Sequence, residues 1–114
     1  MSMIKLGNDL VIDTKQRIVT KNGSPLKLSD LTYRLLLTLI EYAPNLVTKE
    51  QLEQAVWDGR TVTDETLKQR VSRLRAAIGE DTNAPRYFIS VRGSGYRCIA
   101  KVQMNDGARD HKKL

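Results

Sequence analysis

Cysteine, histidine and aromatic residues are scarce in this chain of 114 residues, and their scarcity excludes several kinds of site. Cys98 is the only cysteine, so no disulfide can form within the chain. His111 is the only histidine, and one cysteine with one histidine cannot supply the ligands of a structural zinc site. We therefore expect no metal and no cofactor, and we expect Cys98 to be a small, half-buried strand residue.

The chain also has no long apolar run, and one stretch of it contains no acidic residue. No run approaches the roughly 20 apolar residues that cross a bilayer, so no membrane segment is expected in this chain. No acid occurs in residues 82–104, whereas Arg86, Arg92, Arg97 and Lys101 are basic. With a net charge of +6, this distribution favours an anionic partner, although ribosomal proteins and ordinary basic surfaces share the bias.

The local patterns predict a β-meander, three helices and a β-hairpin within one domain, residues 1–102. Residues 3–28 alternate β-branched clusters with turn signals such as Asn22-Gly23, which is typical of short antiparallel strands. Ser29 can cap a first helix that ends at 43–45. Thr48 and Gln51 fit a capping box that opens a second helix, which runs from about Lys49 to Trp57.

The third helix is predicted at about 64–78, and Gly79 is its natural end. Strands at 87–91 and 96–102, joined by the tip 92–95, then form the hairpin, and 103–114 read as a polar tail or the start of a linker. The order predicts an α+β fold of the winged helix-turn-helix type. It has an N-terminal antiparallel β-meander, three helices and a C-terminal β-hairpin wing.

The third helix is amphipathic. Its apolar residues recur at helical spacing, and its opposite face carries small, polar and basic side chains. An α-helix fits the major groove of DNA, where Arg pairs with guanine and Gln with adenine. A solvated basic face is the alternative that this pattern alone leaves open. The apolar set is Leu67, Val71, Leu74 and Ile78, and the opposite set is Glu65, Gln69, Ser72, Arg73 and Ala76.

Short motifs in a fixed order carry a family resemblance. The two most specific are Val71-Ser72-Arg73-Leu74-Arg75 and Val91-Arg92-Gly93-Ser94-Gly95-Tyr96-Arg97. On these motifs the chain resembles the OmpR/PhoB-type winged-helix DNA-binding domain of bacterial transcription regulators, over residues 4–102. One departure is Thr32, where many members have the Glu that completes a capping box. The accompanying motifs are Leu26-Lys27-Leu28-Ser29, Val47-Thr48-Lys49-Glu50-Gln51-Leu52 and Val56-Trp57.

Within that superfamily the chain is most similar to the ToxR/CadC-type membrane-bound regulators, on Gly79-Glu80-Asp81, Pro85, Tyr87 and 99–102. Those proteins carry the domain at the N-terminus, before a linker and a membrane helix. The resemblance implies a cytoplasmic domain cut from an inner-membrane regulator, with 105–114 opening the linker. A complete stand-alone regulator is the other option.

The resemblance also implies roles for single residues, with the third helix in the major groove and the wing (91–96) at the adjacent minor groove. Arg73, with Gln69 and Ser72, would read bases, although Arg73 could instead contact phosphate. Arg92 would enter the minor groove, and Tyr96 would either bond a phosphate or pack in its strand. The predicted DNA-binding residues are Thr66, Lys68, Gln69, Arg70, Ser72, Arg73, Arg75, Arg92, Gly93, Ser94 and Tyr96, of which Thr66, Lys68, Arg70 and Arg75 would contact phosphates.

The implied partners are double-stranded DNA, RNA polymerase through the loop 58–63, and a second copy in a head-to-tail dimer on direct-repeat DNA. The main alternative is a winged-helix module that docks a protein partner. Its basic face argues against it, since protein-docking faces tend to be more apolar. RNA binding is a weaker choice because no aromatic stacking platform is evident. The sequence also shows no nucleophile–base pair, so we expect no enzymatic activity.

Overall fold

The computed structural model describes residues 2–106 and confirms an α+β fold of two antiparallel sheets and three helices. The strands and helices follow the predicted order, with two additional strands. In chain order the elements are β1 (Ser2–Leu6), β2 (Leu10–Asp13), β3 (Ile18–Lys21), β4 (Ser24–Leu26), α1 (Asp30–Tyr42), β5 (Leu46–Thr48), α2 (Lys49–Val56), α3 (Asp64–Ile78), β6 (Phe88–Val91), β7 (Gly95–Cys98) and β8 (Val102–Asp106).

The predicted N-terminal meander is confirmed as four of the five strands of one sheet, in the order β4-β3-β2-β1-β8. Short turns join β1 to β2, β2 to β3 and β3 to β4, so β2, β3 and β4 each pair with the strand before them. At the β3–β4 turn both Asn22 and Gly23 have positive φ, 50° and 85°. A two-residue turn of this kind requires positive φ at both central positions, and Asn-Gly tolerates it best.

The C-terminal boundary differs from the prediction. A single strand was expected over 96–102, followed by a polar tail, but β7 ends at Cys98 and β8 runs from Val102 to Asp106. The new strand pairs with β1, with Leu6 opposite Val102 and Ile4 opposite Met104. This strand was not predicted because its sequence is mostly polar. It can still form, because an edge strand can be held by backbone hydrogen bonds alone. The rest of the predicted tail, 107–114, lies outside the described residues.

The second sheet, in the order β5-β7-β6, contains the wing hairpin and one strand that the sequence did not predict. That strand, β5, is only Leu46–Thr48, and it pairs with β7 so that Val47 lies opposite Tyr96. Val47 is fully buried. Because β5 leads directly into α2, this pairing attaches the wing to the first helix of the helix-turn-helix.

Hydrogen-bonded caps define the helix ends. Ser29 caps α1, and its Oγ accepts the N–H of Thr32 at 3.3 Å. At position 32, where a capping box would need Glu, the Thr32 hydroxyl instead accepts a bond from the Ser29 hydroxyl. The predicted capping box of Thr48 and Gln51 is confirmed at α2. Gly79 ends α3 in the left-handed conformation, as predicted, with φ 74°.

One core lies between the helices and the two sheets. The apolar stripe of α3, namely Leu67, Val71, Leu74 and Ile78, is buried in it as predicted. Cys98 is fully buried rather than half-buried, because β7 lies between β5 and β6. Trp57 packs against this core while keeping part of its surface exposed. Within residues 2–106, no helix combines the length and the apolar character that crossing a membrane requires.

Candidate nucleic-acid interface

The outward side of α3 presents the polar residues that its periodicity placed there. Burial of the apolar stripe fixes the rotation of the helix, so the opposite residues must face outward. We call this surface the helix face, and its exposed members are Glu65, Thr66, Lys68, Gln69, Ser72, Arg73 and Ala76.

Two cations of the helix face are unpaired. Lys68 and Arg73 are exposed, and neither forms an ion pair with any of the residues that the structure describes. An unpaired Arg offers its planar donors to an anion or a base edge without first breaking a salt bridge. Gln69 lies one turn before Arg73, and Ser72 directly precedes it, on the same side of the helix.

Arg70 points toward the first helix instead. Its Nη1 lies 3.3 Å from Ser29 Oγ and 3.3 Å from Thr32 Oγ1, at the start of α1. Partial burial, together with the nearby charge of Arg73, lowers the pKa of Arg70 from its usual value. The side chain therefore braces α3 against α1. Contact of Arg70 with DNA stays a prediction.

Arg75 links α3 to the wing. Its Nη2 donates to the backbone oxygen of Phe88 at 3.2 Å, and its Nε lies 3.7 Å from Glu80 Oε2, too far for a hydrogen bond. Only 16% of the side chain is exposed. The guanidinium is thus already engaged within the protein, and its predicted phosphate contact also stays a prediction.

The wing tip is formed by Arg92, Gly93 and Ser94, all exposed. The Ser94 N–H donates to the Val91 oxygen at 2.9 Å, which closes the turn. Gly95 directly follows this turn, and its main constraint comes from β5. It has φ 151°, and a Cβ there would lie 2.0 Å from the Val47 oxygen. Only glycine lets β7 approach β5 this closely.

Two shallow grooves join the helix face to the wing. Both are lined by Lys68, Ser90 and Tyr96. One extends past Arg92, Gly93 and Ser94 to the start of α2, and the other follows Gln69, Ser72 and Arg75. Tyr96 is half-buried between them, and this burial raises the pKa of its hydroxyl. Eight of the eleven predicted residues therefore line the two grooves. Thr66 and Arg73 lie outside the grooves on the helix face, and Arg70 points toward α1.

Lys49 and Glu80 also belong to this region but were not among the predicted site residues. The Lys49 Nζ lies 2.8 Å from Asp64 Oδ1, so the first residues of α2 and α3 are ion-paired beside the groove. This hydrogen bond lowers the pKa of Asp64. Lys49 follows the cap residue Thr48 directly, a signal that could have placed it near the surface, whereas nothing in the sequence marks Glu80 as buried. No group of three metal-binding side chains occurs in residues 2–106.

Comparison with known proteins places this geometry among transcription regulators. The family described as "Transcriptional regulatory protein, C terminal" matches residues 23–98. The transcriptional regulatory protein AfsQ1 of Streptomyces coelicolor is 38% identical over 89 residues, which cover 77% of this chain and 40% of AfsQ1. The matched part of the chain therefore spans well under half the length of this relative.

Two solved structures share the fold. The DNA-binding domain of Klebsiella pneumoniae RstA, solved in complex with the RstA box, superposes with a TM-score of 0.77 at 26% identity, covering 84% of this chain and 95% of that one. The DNA-binding domain of Escherichia coli CadC gives a TM-score of 0.77 at 21% identity, covering 92% of this chain and 98% of that one. The second likeness concerns the fold alone.

Proposed function

We propose, because the chain belongs to the family of transcriptional regulatory protein C-terminal domains, that it binds specific sequences of double-stranded DNA and so regulates transcription. The observation that carries this proposal is the helix face: unpaired Arg73 and Lys68 stand with Gln69 and Ser72 beside an exposed basic wing tip. Family membership assigns no catalytic step, and the proposal needs none.

In this mode α3 enters the major groove. Arg73 directs two guanidinium donors at the N7 and O6 acceptors of a guanine, and Gln69 and Ser72 contact the neighbouring bases. These three residues are spaced so that one side of a helix presents them together. Burial of Leu74 and Val71 on the other side prevents the helix from rolling, which keeps the reading residues in register.

Contacts to the sugar–phosphate backbone hold the helix in place. Lys68 and Thr66 meet phosphates on the flanks of the groove, and Arg70 and Arg75 add charge while they brace the helix. Such contacts give affinity and orientation without sequence preference. Because they displace condensed counterions, binding should weaken steeply as salt rises.

The wing serves the adjacent minor groove. Arg92 inserts its guanidinium where an A·T-rich groove is narrow and its negative potential is strong. Gly93 and Ser94 let the backbone approach the DNA, and the Tyr96 hydroxyl bonds a phosphate. Unlike the helix, the wing would read shape more than base identity.

The same proposal covers the type of regulator and its protein partners. Similarity in Gly79-Glu80-Asp81 and in the 99–102 region supports a regulator of the ToxR/CadC type acting in the cytoplasm from the inner membrane. The exposed segment from Asp58 to Thr61 supports a contact between the 58–63 loop and RNA polymerase. A head-to-tail pair of domains on direct-repeat DNA would give two such interfaces one after the other.

Selection of bound sequences from a random duplex pool, near physiological salt, tests the proposal. We expect an enriched motif that contains a guanine beside an A·T-rich stretch. Binding without enrichment, which fades steeply with salt, would instead show a purely electrostatic surface. Absence of any binding would favour a winged helix that docks a protein.

A further inference from the structure

Glu80 is a fully buried carboxylate at the joint between α3 and the wing. Its side chain is 0% exposed, and it follows Gly79 directly. Its Oε1 accepts the backbone N–H groups of Arg86 at 3.0 Å and Tyr87 at 2.6 Å, and its Oε2 accepts that of Phe88 at 3.1 Å. Burying an ionised carboxylate is costly unless it is paired and hydrogen-bonded, and these three donors with nearby Arg75 meet that need.

These bonds cover the outer edge of the wing sheet. Strand β6 is an edge strand, so its outward backbone groups have no neighbouring strand to pair with. The Phe88 N–H is taken by Glu80, and the Phe88 oxygen is taken by Arg75. Arg75 in the last turn of α3 and Glu80 just after the helix therefore satisfy the outward backbone groups of Phe88 and attach the base of the wing to the helix.

A small rotation at this joint is amplified at the wing tip. Arg92 lies four positions after Phe88, so the tip stands on the order of 13 Å from the joint, and a rotation of about 10° would move it by roughly 2 Å. Contacts that must form together tolerate displacements of only about 0.5 Å. The angle between α3 and the wing therefore decides whether both grooves can be engaged at once.

We infer that Glu80 is a positioning residue that sets the angle between α3 and the wing, so that the helix face and Arg92 engage adjacent grooves simultaneously. This inference rests on the proposed function and adds a residue that touches no DNA. The β5–β7 pairing and the buried Phe88 and Cys98 hold the wing to the core independently, so loss of Glu80 should loosen its angle without unfolding it.

A double-mutant cycle between Glu80 and Arg92 tests the inference on the selected duplex. Glu80→Gln keeps the shape but turns one oxygen into an NH2 group, which cannot accept a backbone N–H. Arg92→Ala should weaken binding about tenfold in the wild type but less than about twofold in Glu80→Gln. The second effect is smaller because Arg92 on a misplaced wing already contributes little to binding. Glu41→Gln, an equal charge change at an exposed site near the end of α1, should keep the full Arg92 effect.

A measurement without DNA separates this inference from the proposed function. Spin labels on Ser72→Cys and Ser94→Cys report the distance from the helix face to the wing by pulsed electron paramagnetic resonance. The fully buried Cys98 is left in place, because a buried thiol does not react with the label. The distribution should be narrow in the wild type and in Glu41→Gln, and broadened or shifted in Glu80→Gln. If Glu80→Gln fails to fold, Glu80→Asp, which withdraws the carboxylate by one methylene, should give the same broadening.

The outcomes of the two experiments distinguish a failure of the Glu80 inference from a failure of the proposed DNA binding. If Arg92→Ala costs the same factor with and without Glu80, and the label distance is unchanged, Glu80 does not position the wing. If the wild type shows no sequence preference while the distance distribution still broadens in Glu80→Gln, the proposed DNA reading fails and the role of Glu80 at the joint stands.

Discussion

Helix α3 takes its shape from residues close to it in sequence, whereas the wing takes its position from residues far along the chain. The helix begins at the cap Thr63, ends at Gly79 and is oriented by its own apolar stripe. The wing depends on β5, whose residues lie 47 to 51 positions before their partners in β7, and on Glu80 just after α3. Two surfaces that would act on the same DNA are thus stabilised by different means.

This difference predicts that the two halves of the interface can be damaged separately. A change in a long-range contact of the wing should leave α3 and its base preference intact. A change at a helix cap should weaken α3 while the wing sheet stays paired. Base reading would then depend on local structure and shape reading on tertiary contacts, and the following substitutions test that division from the largest expected effect to the smallest.

Gly95→Ala should destabilise the protein most, by about 3 kcal/mol, because the added Cβ meets the Val47 backbone and the residue sits in strained φ. Gly93→Ala is the matched control, since its Cβ would meet nothing within 4 Å and only the positive φ is strained. It should cost roughly 1–2 kcal/mol. Urea unfolding of the two variants measures the difference, and equal losses would show that the approach of β7 to β5 is not the constraint.

Thr63→Ala should cost about 1 kcal/mol, because the Thr63 hydroxyl accepts the Thr66 N–H at 3.0 Å and caps α3. Hydrogen exchange should increase in the first turn of α3 and stay unchanged in β6 and β7. Thr61→Ala, in the same loop, removes an exposed Thr that makes no hydrogen bond to any described residue and should change stability little. Faster exchange in the wing after Thr63→Ala would contradict the separation of the two halves.

Lys68→Ala should weaken binding to all duplexes alike, because an unpaired Lys on the flank of the helix contacts phosphate rather than a base. The slope of log affinity against log salt should fall by about 0.9. Lys15→Ala, which removes an equal charge from an exposed turn of the N-terminal sheet, should leave the slope unchanged. A loss confined to some sequences would instead make Lys68 a base reader.

The smallest effect concerns Tyr87, which ties the segment before β6 to the N-terminal sheet by donating to Asp9. Burial, with the bond to Asp9, raises the pKa of Tyr87 to about 12. Its ionisation therefore disfavours the folded state, and stability present below pH 10 should decline as pH rises toward 12. Tyr87→Phe should show less of this decline in thermal unfolding; an unchanged pH profile would assign the decline to other groups.

The same division explains what the sequence could predict. The bounds of α3, its cap glycine and the exposure of its polar face follow from a 3.6-residue period and from neighbouring residues, and all are confirmed. Strand β5 was missed because its three residues carry too short a pattern, and Thr48 had already been assigned as a cap. Strand β8 was missed because its polar residues need β1 beside them to form a strand.

The site shows the same limit. Periodicity predicted which residues of α3 face outward, but it could not show that Arg70 reaches Ser29 or that Arg75 reaches Phe88. Glu80 stands in a polar stretch that is typical of a loop, and its burial depends on backbone donors from six to eight residues later. Side-chain contacts between different elements could therefore not be predicted from the sequence, whereas the exposed face of a single helix could.

The most direct test of the central claim, that α3 reads bases, compares the motifs selected from random duplex DNA by the wild type and by Arg73→Ala. We expect Arg73→Ala to lose about 1–3 kcal/mol of specific affinity and to relax preference at one base position, while the A·T-rich flank stays enriched. An unchanged motif, or a uniform loss at every position, would contradict base reading by Arg73.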